Sequence, residues 1–340
     1  MEPRPTHDMA SIIILTVDDV TFTLDCVRSI AASTYPHREI VVVANGTPAP
    51  ILSELEDQLS EFDEVRIIAS ADNLGFSAGN NFGVDASHGT YVAFVNNDMT
   101  VCPEWLDRCI TALQLQTDVG AVQGMQLQMN APDVIDCAGC YLDRYGWSVK
   151  HRFGLPREDD TTGPRYVSYA SGGNFVMRRS DFDDVGRFDP AFEFYYEDGD
   201  LGWRTWISGR TVVYLPEAVV WHYGSAYHNR HTFARTNVHL RTNQLCMLVK
   251  NGAPGTLLRA LPVTTTLMLA SAAYFAAIGD IERAASYFRA FGGFLRRLPL
   301  TLRQRHRVQQ GRTLSDVEIF RRSFYPRSAF LDESAPQAIR

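Results

Sequence analysis

Four short apolar runs rich in β-branched residues, at positions 11–16, 39–44, 65–69 and 90–96, alternate with helix-length segments at 23–32, 51–62 and 77–87. That alternation leaves few folds open, because neighbouring parallel strands need a long crossover and a helix is the usual one. The runs are apolar nearly throughout, as expected of strands whose sheet is covered on both faces. Ligands of such sheets bind beyond the carboxyl ends of the strands. The residues following the runs are small and polar: Val17-Asp18-Asp19, Asn45-Gly46, Asp72-Asn73-Leu74-Gly75 and Asn96-Asn97-Asp98. They are predicted to meet in one crevice. Between about 120 and 223 the strand-like pieces shorten among glycines, aromatics and acids, which predicts a smaller mixed sheet. No linker divides these halves, so one continuous domain is read over residues 1–230, followed by a helical region over 231–340.

Composition narrows the function classes. A chain of 340 residues, 45% of them apolar, can bury a large core. Its net charge of −7 argues against a partner as polyanionic as nucleic acid. The charge is unevenly spread. Residues 1–282 hold 20 Lys/Arg against 35 Asp/Glu, whereas 283–315 hold eight Arg and no acid. The apolar run near the N-terminus, SIIIL, is too brief for a secretory signal, and six cysteines suit reduced thiols, so a cytoplasmic location is expected. Cys137 and Cys140 form a lone CxxC without the second pair a zinc site needs, and they are read as structural.

Three stretches suggest chemistry. The run TYVAFVNND ends in Asp98, a carboxylate where a hard cation prefers oxygen ligands. Mg²⁺ or Mn²⁺ held there would neutralise the two phosphates of a nucleoside diphosphate; the plainer reading is a strand-ending turn. Further on, FEFYYEDGDLGWR crowds Glu197, Asp198 and Asp200 at a predicted helix start. Helix capping would account for acids there, but three exceed its needs, and one of them suits a general base deprotonating a hydroxyl. His222 in VVWHYGS suits a neutral metal ligand or a phosphate contact, and equally a satisfied structural residue. NLGFSAGNN opens a helix with glycines that allow close backbone approach, yet it lacks the G-x-G-x-x-G spacing of a dinucleotide site.

Taken in order, SIIILTVDDVTFTLDCVRSI, EIVVVANGT, NLGFSAGNN, VAFVNND, SGGNFVMRR, FYYEDGDLGWR and VWHYGS resemble glycosyltransferase family 2, especially its bacterial rhamnosyltransferase-like members. The likeness runs from Ser11 to Ser225. It implies the α/β A-type glycosyltransferase fold: a Rossmann-like, mainly parallel sheet merged with a smaller mixed sheet, here with a helical C-terminal tail. It also implies a nucleotide-sugar half at about 11–125, an acceptor half at about 126–230, a divalent cation (Mg²⁺ or Mn²⁺), a nucleotide-sugar donor and inverting transfer. By resemblance Asp98 coordinates metal and His222 lies near it. Asp198 is the general base, with Glu197 and Asp200 assisting. Thr16, Asp18, Asn45, Asn73, Gly75, Asn97, Gly172, Gly173 and Asn174 line the donor. The family commonly has an aromatic and an acid where this chain has Val17 and Ala44, so its recognition of the base must differ. A dTDP-rhamnose donor is expected by resemblance, with UDP-sugars open, and a glycan or lipid-linked acceptor in bacterial glycan assembly.

Residues 261–278 carry no charge and sit at the short limit for spanning a bilayer. A helical hairpin packed on the catalytic domain, contact with an anionic membrane through the arginines that follow, and contact with another subunit of a homo-oligomer all fit this composition. Two other functions fit less well. A non-catalytic nucleotide-sugar scaffold would not need Asp98, Glu197, Asp198 and His222 together. A nucleotidyltransferase would need a basic, glycine-rich loop where Val17-Asp18-Asp19 stands.

Overall fold

The computed structural model describes residues 8–160, 163–224 and 233–325. The N-terminal segment 1–7, Ser225 and the boundary expected at residue 230 lie outside the described residues.

The alternation is realised as β1 (Ala10–Thr16), α1 (Val20–Ala31), β2 (Arg38–Asn45), α2 (Ala49–Leu59), β3 (Val65–Ser70), α3 (Gly75–Asp85) and β4 (Tyr91–Val95). After β5 (Met99–Val101) comes a helix that the sequence reading passed over, α4 (Trp105–Leu115), which starts without a side-chain cap. The second half contains β6 (Val119–Gln128), β7 (Ala131–Cys137), β8 (Cys140–Leu142), β9 (Ser148–Lys150), β10 (Arg165–Tyr166), β11 (Asn174–Arg178), α5 (Arg179–Asp184), α6 (Glu197–Ile207) and β12 (Thr211–His222). Four helices follow: α7 (Phe233–Asn251), α8 (Pro254–Ala277), α9 (Ile281–Gln310) and α10 (Asp316–Ser323).

One sheet runs in the order β10-β12-β6-β11-β4-β1-β2-β3, with β5 added against β12 and β7 against β6; β8 and β9 form a separate antiparallel pair. Strands β3, β2, β1 and β4 are mutually parallel. The switch comes at β11, which runs antiparallel to both β4 and β6. At this seam Phe94 and Phe175 stack with ring centroids 4.8 Å apart, and Phe188 packs edge-on to both.

Helix α6 can lie close to the segment between β10 and β11 because Gly202 has no side chain. A Cβ there would fall 2.2 Å from that of Tyr169. The first turn of α6 brings Glu197 and Asp198 to the cleft at the carboxyl ends of the strands.

The helical C-terminal region is bound into the same core. Helix α7 buries Asn237, Arg241, Asn243, Gln244, Lys250 and Asn251, a polar face that must find partners in the body it packs against. Lys250 Nζ lies 2.6 Å from Asp189 Oδ2 and 2.9 Å from Asp200 Oδ2.

Candidate active site

The carboxyl ends of β1, β2 and β4 open into a cleft of about 340 Å³. The expected residues Asp18, Asn45, Asn73, Gly75, Asn97, Asp98, Gly172, Gly173, Glu197, Asp198 and His222 line it.

Much of its wall is loop held by asparagine. Asn45 Oδ1 accepts from Leu74 N at 2.8 Å, and Asn73 Oδ1 accepts from Gly75 N at 2.9 Å. Gly75 sits at φ +76°, a left-handed conformation that glycine adopts without strain. Gly173 is fixed by contact, since a Cβ would lie 2.3 Å from Asn96 Cγ.

Three expected site residues do not line the cleft. Thr16 is buried beneath it, where its Oγ1 accepts from Thr23 at 2.9 Å and from Asn97 Nδ2 at 3.4 Å. Asn174, at the seam, accepts from Trp105 Nε1 at 3.0 Å and donates to Gly124 O at 2.9 Å. Both positions are corrected to supports of the cleft. Asp200 is corrected too: it is fully buried, bound by Arg204 Nε at 2.8 Å, by Lys250 and by Asn251 Nδ2 at 2.9 Å. Burial would push its carboxyl up, but the Arg204 and Lys250 charges hold it below the usual range.

Asp198 and Glu197 remain in the cleft. Asp198 accepts from Gly172 N at 3.2 Å and from its neighbour Gly199 N at 2.7 Å. Burial lifts its pKa to about 6 against the opposing pull of those N–H groups. Glu197 is pushed well above the ordinary glutamate range by burial and by the Asp198 charge, and its Oε2 has no hydrogen-bond partner among the described residues. The turn delivering them is strained: Tyr195 and Tyr196 are both left-handed, at φ 67° and 69°. Asn243 Nδ2 from α7 donates to Phe194 O and Tyr195 O, each at 2.8 Å. Arg297 Nη1 from α9 binds Ala191 O at 2.8 Å and Asn243 Oδ1 at 2.9 Å.

Across the cleft, His222 Nε2 lies 3.3 Å from Asp98 Oδ2, and its Nδ1 lies 2.9 Å from Asp136 Oδ2. Asp136 also binds Lys150 Nζ at 3.1 Å. Burial disfavours charge on the His222 imidazole, yet its hydrogen bonds to Asp136 and Asp98 raise its pKa to about 9. Among the described residues no group of three or more His, Cys, Asp or Glu is arranged to hold a metal; Asp98 and His222 are a pair. Asp136, Lys150, Gln126, Phe22 and Phe76 were not anticipated. All but Asp136 line the cleft; Phe22 and Phe76 lie within the SIIILTVDDVTFTLDCVRSI and NLGFSAGNN segments, whereas no local motif marks Asp136, Lys150 or Gln126.

A parallel half-sheet joined through an antiparallel strand to a mixed half, with a polar cleft at its carboxyl edge, defines an A-type glycosyltransferase fold. The chain belongs to glycosyl transferase family 2, whose model matches residues 11–186. Over 224 residues, 64% of this chain, it is 28% identical to the O-antigen biosynthesis protein RfbC of Myxococcus xanthus, of which the match covers 17%. Over 85 residues, 25% of the chain, it is 36% identical to the N-acetylglucosaminyl-diphospho-decaprenol L-rhamnosyltransferase of Mycobacterium tuberculosis (strain CDC 1551 / Oshkosh), covering 26% of it. The chain thus spans well under two thirds of these relatives' own length. The solved mannosyltransferase PcManGT of Pyrobaculum calidifontis, in complex with GDP-Man and Mn²⁺, superposes with a TM-score of 0.55 at 15% identity, covering 86% of this chain and 89% of that one.

Proposed function

We propose that the protein transfers one sugar from a nucleoside-diphosphate sugar to an acceptor hydroxyl, with inversion at the anomeric carbon. The observation that carries this reading is the placement of Asp198 in the same cleft as the Asp98–His222 pair, held by Gly172 N and resting on a strained turn.

The cleft's residues divide the work. Asp198 accepts the proton of the acceptor hydroxyl as that oxygen bonds to the anomeric carbon; the bond to the diphosphate oxygen breaks on the opposite face, and its electron pair leaves with the diphosphate. Attack and departure on opposite faces give inversion. Glu197, whose buried Oε2 lacks a partner among the described residues, binds a hydroxyl of the bound sugar on this reading. Asp98 and His222 would hold Mg²⁺ or Mn²⁺, the imidazole giving up the Nε2 proton that it otherwise turns towards Asp98. One carboxylate and one imidazole fit a cation that draws its other ligands from substrate oxygens and water. Such an ion neutralises the charge that develops on the leaving diphosphate.

Base recognition is rebuilt around Phe22. Ala44 is buried and Val17 lines the cleft, but so does Phe22, whose ring lies 4.5 Å from that of Tyr223 and offers a stacking face. A dTDP-rhamnose donor is the specific assignment: the rhamnosyltransferase relative supports the sugar and a lipid-linked acceptor, and the dTDP moiety rests on the family resemblance.

The test is release of nucleoside diphosphate from dTDP-rhamnose and UDP-glucose by the purified protein. Asp198→Asn is expected to reduce turnover by about 10²–10⁴-fold while donor affinity holds. Undiminished turnover would remove Asp198 as the base.

A further inference from the structure

Helices α8 and α9 form a hairpin of which the protein covers only one side. On α8, Ala260, Thr264, Met268 and Ala272 are buried, and Thr264 Oγ1 donates to Tyr145 O at 3.0 Å. Met268 and Ala272 pack with Leu245 of α7 and with Tyr287 and Ala290 of α9. Away from that inner stripe α8 is open, with large side chains at both margins: Leu258 is 79% exposed, Leu269 44% and Tyr274 61%. On α9 the open side carries Phe288, Leu295 and Leu302, spaced by seven residues and hence on nearly one face. One position later at each step come Arg289, Arg296 and Arg303, all exposed. Among the described residues none of these three pairs with a carboxylate; the acids of the turn are Asp280, which binds Arg283 at 2.9 Å, and Glu282.

Charge selects the occupant. Of the eight Arg within 283–315, Arg289, Arg296 and Arg303 stand on the open side of α9, whereas Arg297, Arg305 and Arg312 turn inward onto Ala191 O, Val249 O and Asp316, and residues 1–282 carry 15 more acids than bases (35 against 20). The body is therefore repelled by an anionic surface to which this one face is attracted. Large apolar side chains interleaved with arginine are the pattern of helices that lie in a membrane interface, apolar groups inserted and guanidinium groups among the headgroups.

Length and composition alone would let Pro254–Ala277 cross a bilayer, but its attachments oppose crossing. Its inner face is docked on the core, and its hairpin partner is tied to α7 by Asn237 Nδ2 to Ser286 Oγ at 2.7 Å and Thr242 Oγ1 to Ala290 O at 3.1 Å. The seven arginines of α9 would also meet hydrocarbon. We infer that the open face of the α8–α9 hairpin docks in the plane of an anionic lipid bilayer, peripherally and without spanning it. Since Arg297 of α9 and Asn243 of α7 hold the turn before Asp198, the docking face and the cleft share one rigid support.

The experiment is flotation of the full chain with vesicles of 30% phosphatidylglycerol in phosphatidylcholine and with phosphatidylcholine alone. Binding is expected only to the anionic vesicles, with release in 0.5 M salt. The variant R289E/R296E/R303E is expected to weaken partition by about a hundredfold, since each basic residue near the surface contributes on the order of a factor of five. The variant L258S/L295S/L302S keeps the charge and is also expected to weaken it. All six positions are exposed, and circular dichroism confirms folding. Absence of binding to anionic vesicles at low salt would overturn the inference, as would undiminished binding by the arginine variant. Detergent-only extraction would mean a spanning helix. A dimer abolished by the same substitutions would mean that a second copy covers the face; either result overturns the proposal.

Discussion

Asp198 and Asp200 stand two residues apart at the start of one helix, and because an α-helix turns about 100° per residue their side chains leave it in nearly opposite directions. One faces the cleft and the other the Arg204–Lys250 cluster. With its pKa near 6, Asp198 is ionised and basic at neutral pH. A base must be deprotonated, so kcat/KM is expected to fall as pH drops through about 6; a pH–rate profile checks this, and in Asp198→Asn the limb should vanish. The same shift has a stability side. The folded pKa lies above the unfolded one, so the contribution is present at low pH and lost as pH rises through about 6. At pH 7.5, Asp198→Asn is therefore expected to stabilise the fold by on the order of 1 kcal/mol, roughly 2–4 °C in Tm. Asp136 acts through His222 Nδ1, leaving Nε2 facing Asp98. Asp136→Asn is expected to weaken metal-dependent nucleotide binding by about 10–100-fold, measured by calorimetry, as loss of a group orienting a metal ligand does. That Asp98, His222 and Asp198 meet in the cleft was legible because Asp98 follows β4, His222 ends β12 and Asp198 opens α6. Asp136 and Lys150 were not, since they come from β7 and β9 and only the folded sheet brings them to His222.

The element that matters most to the site is the turn before α6. Two consecutive left-handed tyrosines cost on the order of 1–3 kcal/mol each, and neighbouring helices hold them in place: Asn243 caps the turn's carbonyls and Arg297 braces Asn243. Helix α7 also supplies the lysine that neutralises Asp189 and Asp200. Lys250→Met, close in size but uncharged, is expected to destabilise the protein by about 3–5 kcal/mol in urea unfolding, because it leaves buried carboxylates uncompensated. From sequence, 231–340 reads as a helical region, with a hairpin packed on the catalytic domain among its readings. Helical periodicity was visible there, but the buried polar face of α7 reads in sequence as ordinary surface, and only packing shows that Lys250 and Asn251 answer Asp200. The first three helices were legible to within a few residues because their apolar spacing is regular. Helix α4 was missed where a short strand and a proline break the pattern.

For the molecule as a whole, the parallel half-sheet followed directly from the four apolar runs, since strands covered on both faces admit few other arrangements. The reversal at β11 and the long parallel pairing of β12 with β6 did not, because nothing local records the direction of a strand paired with one more than 50 residues away. The fold that results sets the Asp98–His222 pair and the Asp198 turn into one cleft. On the proposed reading this cleft binds a nucleoside diphosphate through a divalent cation. The decisive experiment is calorimetric titration with dTDP and UDP, each with and without Mn²⁺. Binding of one of the two nucleotides is expected with Mn²⁺, falling at least tenfold without the ion and in Asp98→Ala. Absence of binding under every condition would contradict the transferase account and favour a scaffold that has lost its donor site.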